Sequence, residues 1–271
     1  MATSSAPLEI GRVALTVNDI GRTGEFYQSA LGLERIGGGG DTATFGAGGR
    51  VLLELRADTA ARHRSPREAG LFHTAFLMPS RADLGTWLRH AAETQVPLQG
   101  ASDHLVSEAI YLADPEGNGI EVYVDRPRDE WPMLNGRIEM ATDPLDLNDL
   151  AAAAARSWAG APDGMVVGHV HLQVGSVPEA EAFYSGILGF AVTTHYPGAA
   201  FYGSGGYHHH LATNVWNSRG ASVRSYPSTG LADLEIAGAA AEIAAIRGRM
   251  GSGPALADPW GTRISLTEKA A

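Results

Sequence analysis

A chain of 271 residues can form one large or two small domains around a sizeable core. Its net charge of −10, with no basic cluster interleaved with aromatics, excludes a nucleic-acid surface and a patch for anionic membranes. The absence of cysteine excludes disulfides, thiolate nucleophiles and thiolate metal sites, so any metal must sit on His, Asp, Glu or water.

Internal repetition organises the elements. Gly11–Val17 (GRVALTV) reads as a strand, Asp19 as a helix cap, Glu25-Phe26-Tyr27 as part of a short helix and Leu31-Gly32-Leu33 as its glycine stop. Gly37–Gly40 reads as a turn, and Val51–Leu55 closes this first unit. A second copy starts at Gly70–Met78 (GLFHTAFLM) and enters a helix capped near Ser80 that carries Leu84, Trp87 and Leu88. Its last strands, Ala109–Ala113 and Gly119–Val124, flank the turn-rich Asp114–Gly119. In the following 127–164 segment, Pro144–Trp158 with its alanine run predicts a connecting helix, a spacer rather than a site.

Gly168–Val174 (GHVHLQV), Ser176, Glu181–Tyr184 and Leu188-Gly189-Phe190 then repeat the first unit position by position, ahead of a strand within His208–Trp216. Gly230–Ile236, an Ala-rich helix over Ala240–Met250, and Arg263–Thr267 after Asp258-Pro259-Trp260-Gly261 make the fourth copy. The chain thus reads as four strand–helix–three-strand modules at about 9–57, 70–126, 167–218 and 229–268. That organisation gives an N-terminal half (1–126), a linker (127–166) and a C-terminal half (167–271). No apolar run reaches the roughly 18 residues of a membrane span. MATSSAPLEIG lacks a secretion signal's basic and apolar regions, so a cytoplasmic protein is expected.

Alternation assigns the faces. Val170, Leu172 and Val174 share one face of their strand, and His169, His171 and Gln173 the other. The apolar face should pack under the module's helix and the polar face line a concavity. At the start of that polar face, Arg12, His73, His169 and Asp233 hold one equivalent position across the modules. The last strands supply a second: Glu54, Glu121, His209 or Leu211, and Ser265. Glu121 stands among Ile120, Val122 and Val124, where a carboxylate costs free energy unless it meets a cation, a metal or a donor.

These residues, with DHLVSEAIYLADPEGNGIEVY, GGYHHH at Gly205–His210 and GHVHLQV, resemble the vicinal oxygen chelate superfamily of glyoxalases, bleomycin-resistance proteins and extradiol dioxygenases. Within it the pattern is similar to the catechol 2,3-dioxygenase branch. The resemblance implies an α+β fold, four βαβββ modules paired into two cupped mixed β-sheets with helices on the outer faces. It implies a metal held by His73, His169 and Glu121, which only the second and third modules can supply together. Modules two and three would then form the metal cup, unlike the usual pairing of one with two and three with four. Modules one and four would form an empty cup in which Glu54 pairs with Arg12.

The implied cofactor is Fe(II), with Mn(II) accepting the same ligands. The implied reactants are a small catecholic molecule and O2, and the implied activity is ring cleavage beside the diol. His104 matches the family's substrate- or oxygen-contacting His. Tyr111, ten positions before Glu121, matches its active-site Tyr. The His208–His210 run matches its acid–base His, and register with Leu52 and Glu54 favours His209 over the pair His208 and His210. His171 reads as cavity lining. Two other functions stay open at this point. A glyoxalase-like isomerase or lyase would want a fourth protein ligand, whereas a non-catalytic binding or resistance protein would need no such ligand set. Assembly as a homo-oligomer is likewise open.

Overall fold

The computed structural model describes residues 6–250 and 256–269. The first module comprises β1 (Leu8–Val17), α1 (Ile20–Leu31), β2 (Glu34–Gly37), β3 (Thr42–Ala47) and β4 (Arg50–Ala57). The second comprises β5 (Gly70–Leu77), α2 (Arg81–Glu93), β6 (Leu98–Asp103), β7 (Ser107–Ala113) and β8 (Gly119–Asp125). A linker follows with the short hairpin β9 (Met133–Leu134) and β10 (Arg137–Ile138), then α3 (Leu147–Ala152). The third module comprises β11 (Val166–Gln173), α4 (Val177–Glu181) running into a π-helical stretch at Ala182–Ile187, β12 (Ala191–Tyr196), β13 (Ala199–Gly203) and β14 (Leu211–Asn214). The fourth has β15 (Gly230–Gly238), α5 (Ala240–Met250) and β16 (Ile264–Glu268).

Local chemistry sets the helix ends. Asp19 accepts from the backbone N–H of Arg22, Ser80 from that of Asp83 and Ser176 from that of Glu179, satisfying donors that the first helical turn leaves open. Gly32, at φ 67°, ends α1 in the left-handed conformation that a side chain disfavours.

Two cupped sheets result. One has the order β16-β15-β1-β4-β3-β2 and the other β12-β13-β14-β11-β5-β8-β7-β6. The antiparallel seam β11·β5 therefore joins module three to module two, and β1·β15 joins module one to module four. Ile120, Val122 and Val124 share one continuous core with Leu84, Trp87 and Leu88 of α2, so the helix covers the convex face. The Trp87 indole N–H donates to the Ala30 carbonyl at 2.8 Å and ties α2 to the end of α1. Glu121, Tyr123 and Asp125 are left on the concave face.

Two elements differ from expectation. The connecting helix covers only Leu147–Ala152, capped by Asp146. Beyond it Trp158 stacks on His90, with ring centroids 5.4 Å apart, and the Ala161 N–H donates to the Gly32 carbonyl. These contacts draw the chain across the ends of α1 and α2, and tertiary packing overrides the helix propensity of the alanine run. The fourth module has two strands rather than four among the described residues, paired in parallel, with an isolated bridge between Ala257 and Arg263 just ahead of β16. Residues 251–255 lie outside the described part. Among the described residues no helix is long and apolar enough to cross a membrane.

The seam carries a bulge at Gly168, between Val167, opposite Phe76, and His169, opposite Ala75. The extra residue re-aims the strand toward the cup. A Cβ on Gly168 would lie 1.9 Å from the Tyr123 hydroxyl, so only glycine lets that phenol under the bulge. Gly168→Ala is expected to destabilise the fold by about 1–3 kcal/mol through forced repacking, read as a lower denaturation midpoint with unchanged m.

Candidate metal centre

Four strands build the floor of the larger cup. In the ladder Ala75 pairs with Glu121, and Glu121 with Tyr111, while His171 lies across from His73. Side chains two apart share a face, which puts His73, Glu121, Tyr111, His169 and His171 on one concave surface. His73 Nε2 lies 3.0 Å and His169 Nε2 3.3 Å from the same oxygen, Glu121 Oε2. One ligand atom from each of the three residues falls within 4.8 Å of the others. All three are buried, at 7%, 2% and 2% exposure for His73, His169 and Glu121.

These contacts fit a cation better than a hydrogen-bonded cluster. Ligands about 2.1 Å from a cation and at right angles stand about 3 Å apart. His73 Nε2, although beside the carboxylate, makes no hydrogen bond, and neither does His169 Nδ1. A buried imidazole nitrogen without a partner is costly, and a metal at the shared point would meet that of His73. Burial works to raise the Glu121 carboxyl, but the His169 and His73 imidazoles outweigh it and hold the group well below the usual carboxylate range. Burial lowers His169 to about 4 against the pull of Glu121. An ionised carboxylate beside imidazoles with free lone pairs is the donor set of a divalent transition metal.

Above the three residues lies a cavity of roughly 310 Å³, at the small end for a ligand site. On one side stand His104 and Tyr111. His104 Nδ1–H donates to the Ala141 carbonyl at 2.6 Å, so its Nε2 accepts from the Tyr111 hydroxyl, also at 2.6 Å. Burial and the charge of Glu121 raise Tyr111 well above the usual phenol range, keeping its proton in place. On the other side Phe72, Phe201 and Trp216 surround His171, whose Nε2 accepts from the Asn214 amide at 3.0 Å. His209 lines the same cavity with its ring centroid 4.1 Å from that of His169. Burial, then the neighbouring imidazoles of His169 and His208, lower His209 well below the ordinary imidazole range.

The structure thus brings His73, Glu121, His169, His104, Tyr111 and His209 around one cavity. The position equivalent to Glu121 in module three is Ala212, paired with His171, and not His209 or Leu211. The His run precedes β14 instead of lying in it, so strand alternation does not govern its side chains. His208 and His210 are fully buried while His209 opens on the cavity. Ahead of the Pro144–Trp158 segment, Met140, Ala141 and Thr142 of the linker form part of the cavity wall. Nothing in the local sequence marks them, because they arrive by long-range packing.

The smaller cup already holds a cation. The Arg12 guanidinium stands 3.0 Å from Glu54, 3.3 Å from Glu235 and 3.9 Å from Asp233. Ser265 donates to the Asp233 carboxylate as well. Arg12→Ala would leave three carboxylates facing one another. It should cost about 1–3 kcal/mol in urea melts while metal content stays unchanged.

Two modules cupped around a buried His–His–Glu cluster that could hold a metal ion define a protein of paired βαβββ architecture. The chain belongs to the glyoxalase/bleomycin resistance protein/dioxygenase superfamily, whose profile matches residues 9–122 and 166–266. It is 38% identical over 228 residues to the catechol-2,3-dioxygenase of Bacillus subtilis (strain 168), covering 82% of this chain and 80% of that one. It is 35% identical over 109 residues to biphenyl-2,3-diol 1,2-dioxygenase 3 of Rhodococcus globerulus, covering 37% of this chain and 54% of that one. Among solved structures, glyoxalase I from Zea mays shares the fold at TM-score 0.57 and 14% identity, over 96% of this chain and 92% of that one.

Proposed function

We propose that the chain is an Fe(II)-dependent extradiol dioxygenase that opens a catechol-type ring with O2, with His73, His169 and Glu121 holding the metal. The observation that carries the reading is the meeting of two imidazoles and one carboxylate at the floor of a small, aromatic-walled cavity. The similarity to the catechol-2,3-dioxygenase of Bacillus subtilis (strain 168), over most of both chains, supports it. His73, His169 and Glu121 would hold the metal there, and Fe(II) would supply open coordination positions and one-electron redox chemistry.

The chain's own residues do the rest. His209, whose burial disfavours the charged imidazole, takes a proton from the diol and later returns it to the opened product. Tyr111 donates its hydroxyl hydrogen bond to His104, so its hydroxyl oxygen is left on the opposite wall to accept a hydrogen bond from a diol hydroxyl. Phe72, Phe201 and Trp216 pack against the ring and keep water out. Trp216→Ala should raise KM by about tenfold with a smaller effect on kcat, because it removes binding surface common to ground and transition states.

The test is anaerobic loading with Fe(II), followed by a panel of catechols and oxygen. Oxygen uptake matched by a yellow ring-opened product supports the reading. Tight iron binding with no oxygen uptake on any catechol contradicts it.

A further inference from the structure

We propose that Asp125 and His208 are positioning residues that fix His209 in one tautomer, its Nε2 lone pair turned to the cavity. The proposal rests on the reading of His209 as the group that takes the substrate proton.

A chain of hydrogen bonds runs behind the cavity wall. His208 Nε2 lies 2.8 Å from Asp125 Oδ1, and His208 Nδ1 lies 2.7 Å from His209 Nδ1. A carboxylate oxygen only accepts, so a neutral His208 carries its single proton on Nε2 and offers the Nδ1 lone pair. The His209 Nδ1 must then be the donor, and its Nε2 is left as the acceptor. This is the reverse of the tautomer that a free histidine side chain favours in water. The Tyr207 hydroxyl also donates to Asp125 Oδ1, at 3.0 Å, and accepts from Tyr123 at 2.7 Å, so every donor in the chain points toward the one carboxylate.

The chain is enclosed. His208 has no exposure, with Tyr207 at 4.1 Å and Trp131 at 5.0 Å between ring centroids, whereas His209 retains 7% and lines the cavity. Shielding from water keeps competing donors from reversing the order. Asp125 also lies four residues beyond Glu121 on the same face of β8, so one strand carries both the carboxylate of the metal cluster and the anchor of the base. Orientation of a catalytic imidazole by a second group is a general device of acid–base sites.

The experiment uses the full chain with 15N-labelled histidine and Zn(II) as a diamagnetic occupant of the site, the imidazole nitrogen shifts reporting each tautomer. His209 is expected as the Nδ1–H form. In His208→Asn the amide oxygen can stand in for Nδ1, so the form is retained. In His208→Gln the side chain still reaches Asp125 but offers nothing to His209, so the signal moves to the Nε2–H form. In the iron-loaded enzyme His208→Gln should lower kcat by about 10²-fold at unchanged metal content, and His208→Asn should recover most of that. An Nε2–H form in the wild-type chain, or like spectra for the two variants, would overturn the proposal. An Nδ1–H signal in a chain that turns over no catechol would uphold the positioning and count against the dioxygenase reading instead.

Discussion

His73→Ala and His169→Ala should each reduce bound iron from about one atom per chain to almost none, since a three-ligand site does not survive loss of an imidazole. Turnover should vanish with the metal. Asp233→Ala, at the equivalent position of the fourth module, should keep full iron, because its carboxylate serves the Arg12 cluster in the other cup. Ligand loss exceeds the 10–100-fold in affinity that removing a ligand's supporting partner typically costs. Metal analysis after gel filtration reads all three variants in one series. Equal iron loss in all three would mean that the cups are wrongly assigned.

His209→Ala should leave iron bound and lower kcat by about 10²–10⁴-fold, the usual contribution of a positioned general base. The effect on KM should be small, because in the proposed mechanism His209 acts on the proton and not on the ring. Steady-state oxygen uptake with a fixed catechol measures both constants. A fall confined to KM would make His209 part of the binding wall and leave proton transfer to another group. Comparison with Trp216→Ala, for which the main change is expected in KM, separates the two roles.

Much of the architecture was legible because the repeat is carried by local chemistry. The caps at Asp19, Ser80 and Ser176, the glycine stop at Gly32 and the alternation of β8 and β11 each appear in the sequence as they appear in space. The juxtaposition of His73 and His169 follows from the sheet order, in which their strands are neighbours. What local pattern could not supply came from distant parts of the chain. The alanine run beyond α3 is not helical because Trp158 must reach His90. Met140–Thr142 join the cavity although nothing in their own stretch marks a site.

The His run is instructive in another way. Register with the first module favoured His209, yet Ala212 occupies that register, and His209 faces the cavity because the chain bends ahead of β14. Asp125 carried a readable signal that alternation alone supplies, since it continues the face of Glu121 and Tyr123. Its partner in space, His208, lies 83 residues away and no local pattern joins the two.

The central claim is that the side chains at 73, 121 and 169 share one cation. Diffraction from crystals of the Fe(II)-loaded protein, recorded on both sides of the iron absorption edge, tests it most directly. The account predicts a single strong anomalous peak about 2.0–2.2 Å from an imidazole nitrogen of His73, one of His169 and a carboxylate oxygen of Glu121. An iron peak bound elsewhere, or one that leaves His169 beyond bonding distance, would contradict it.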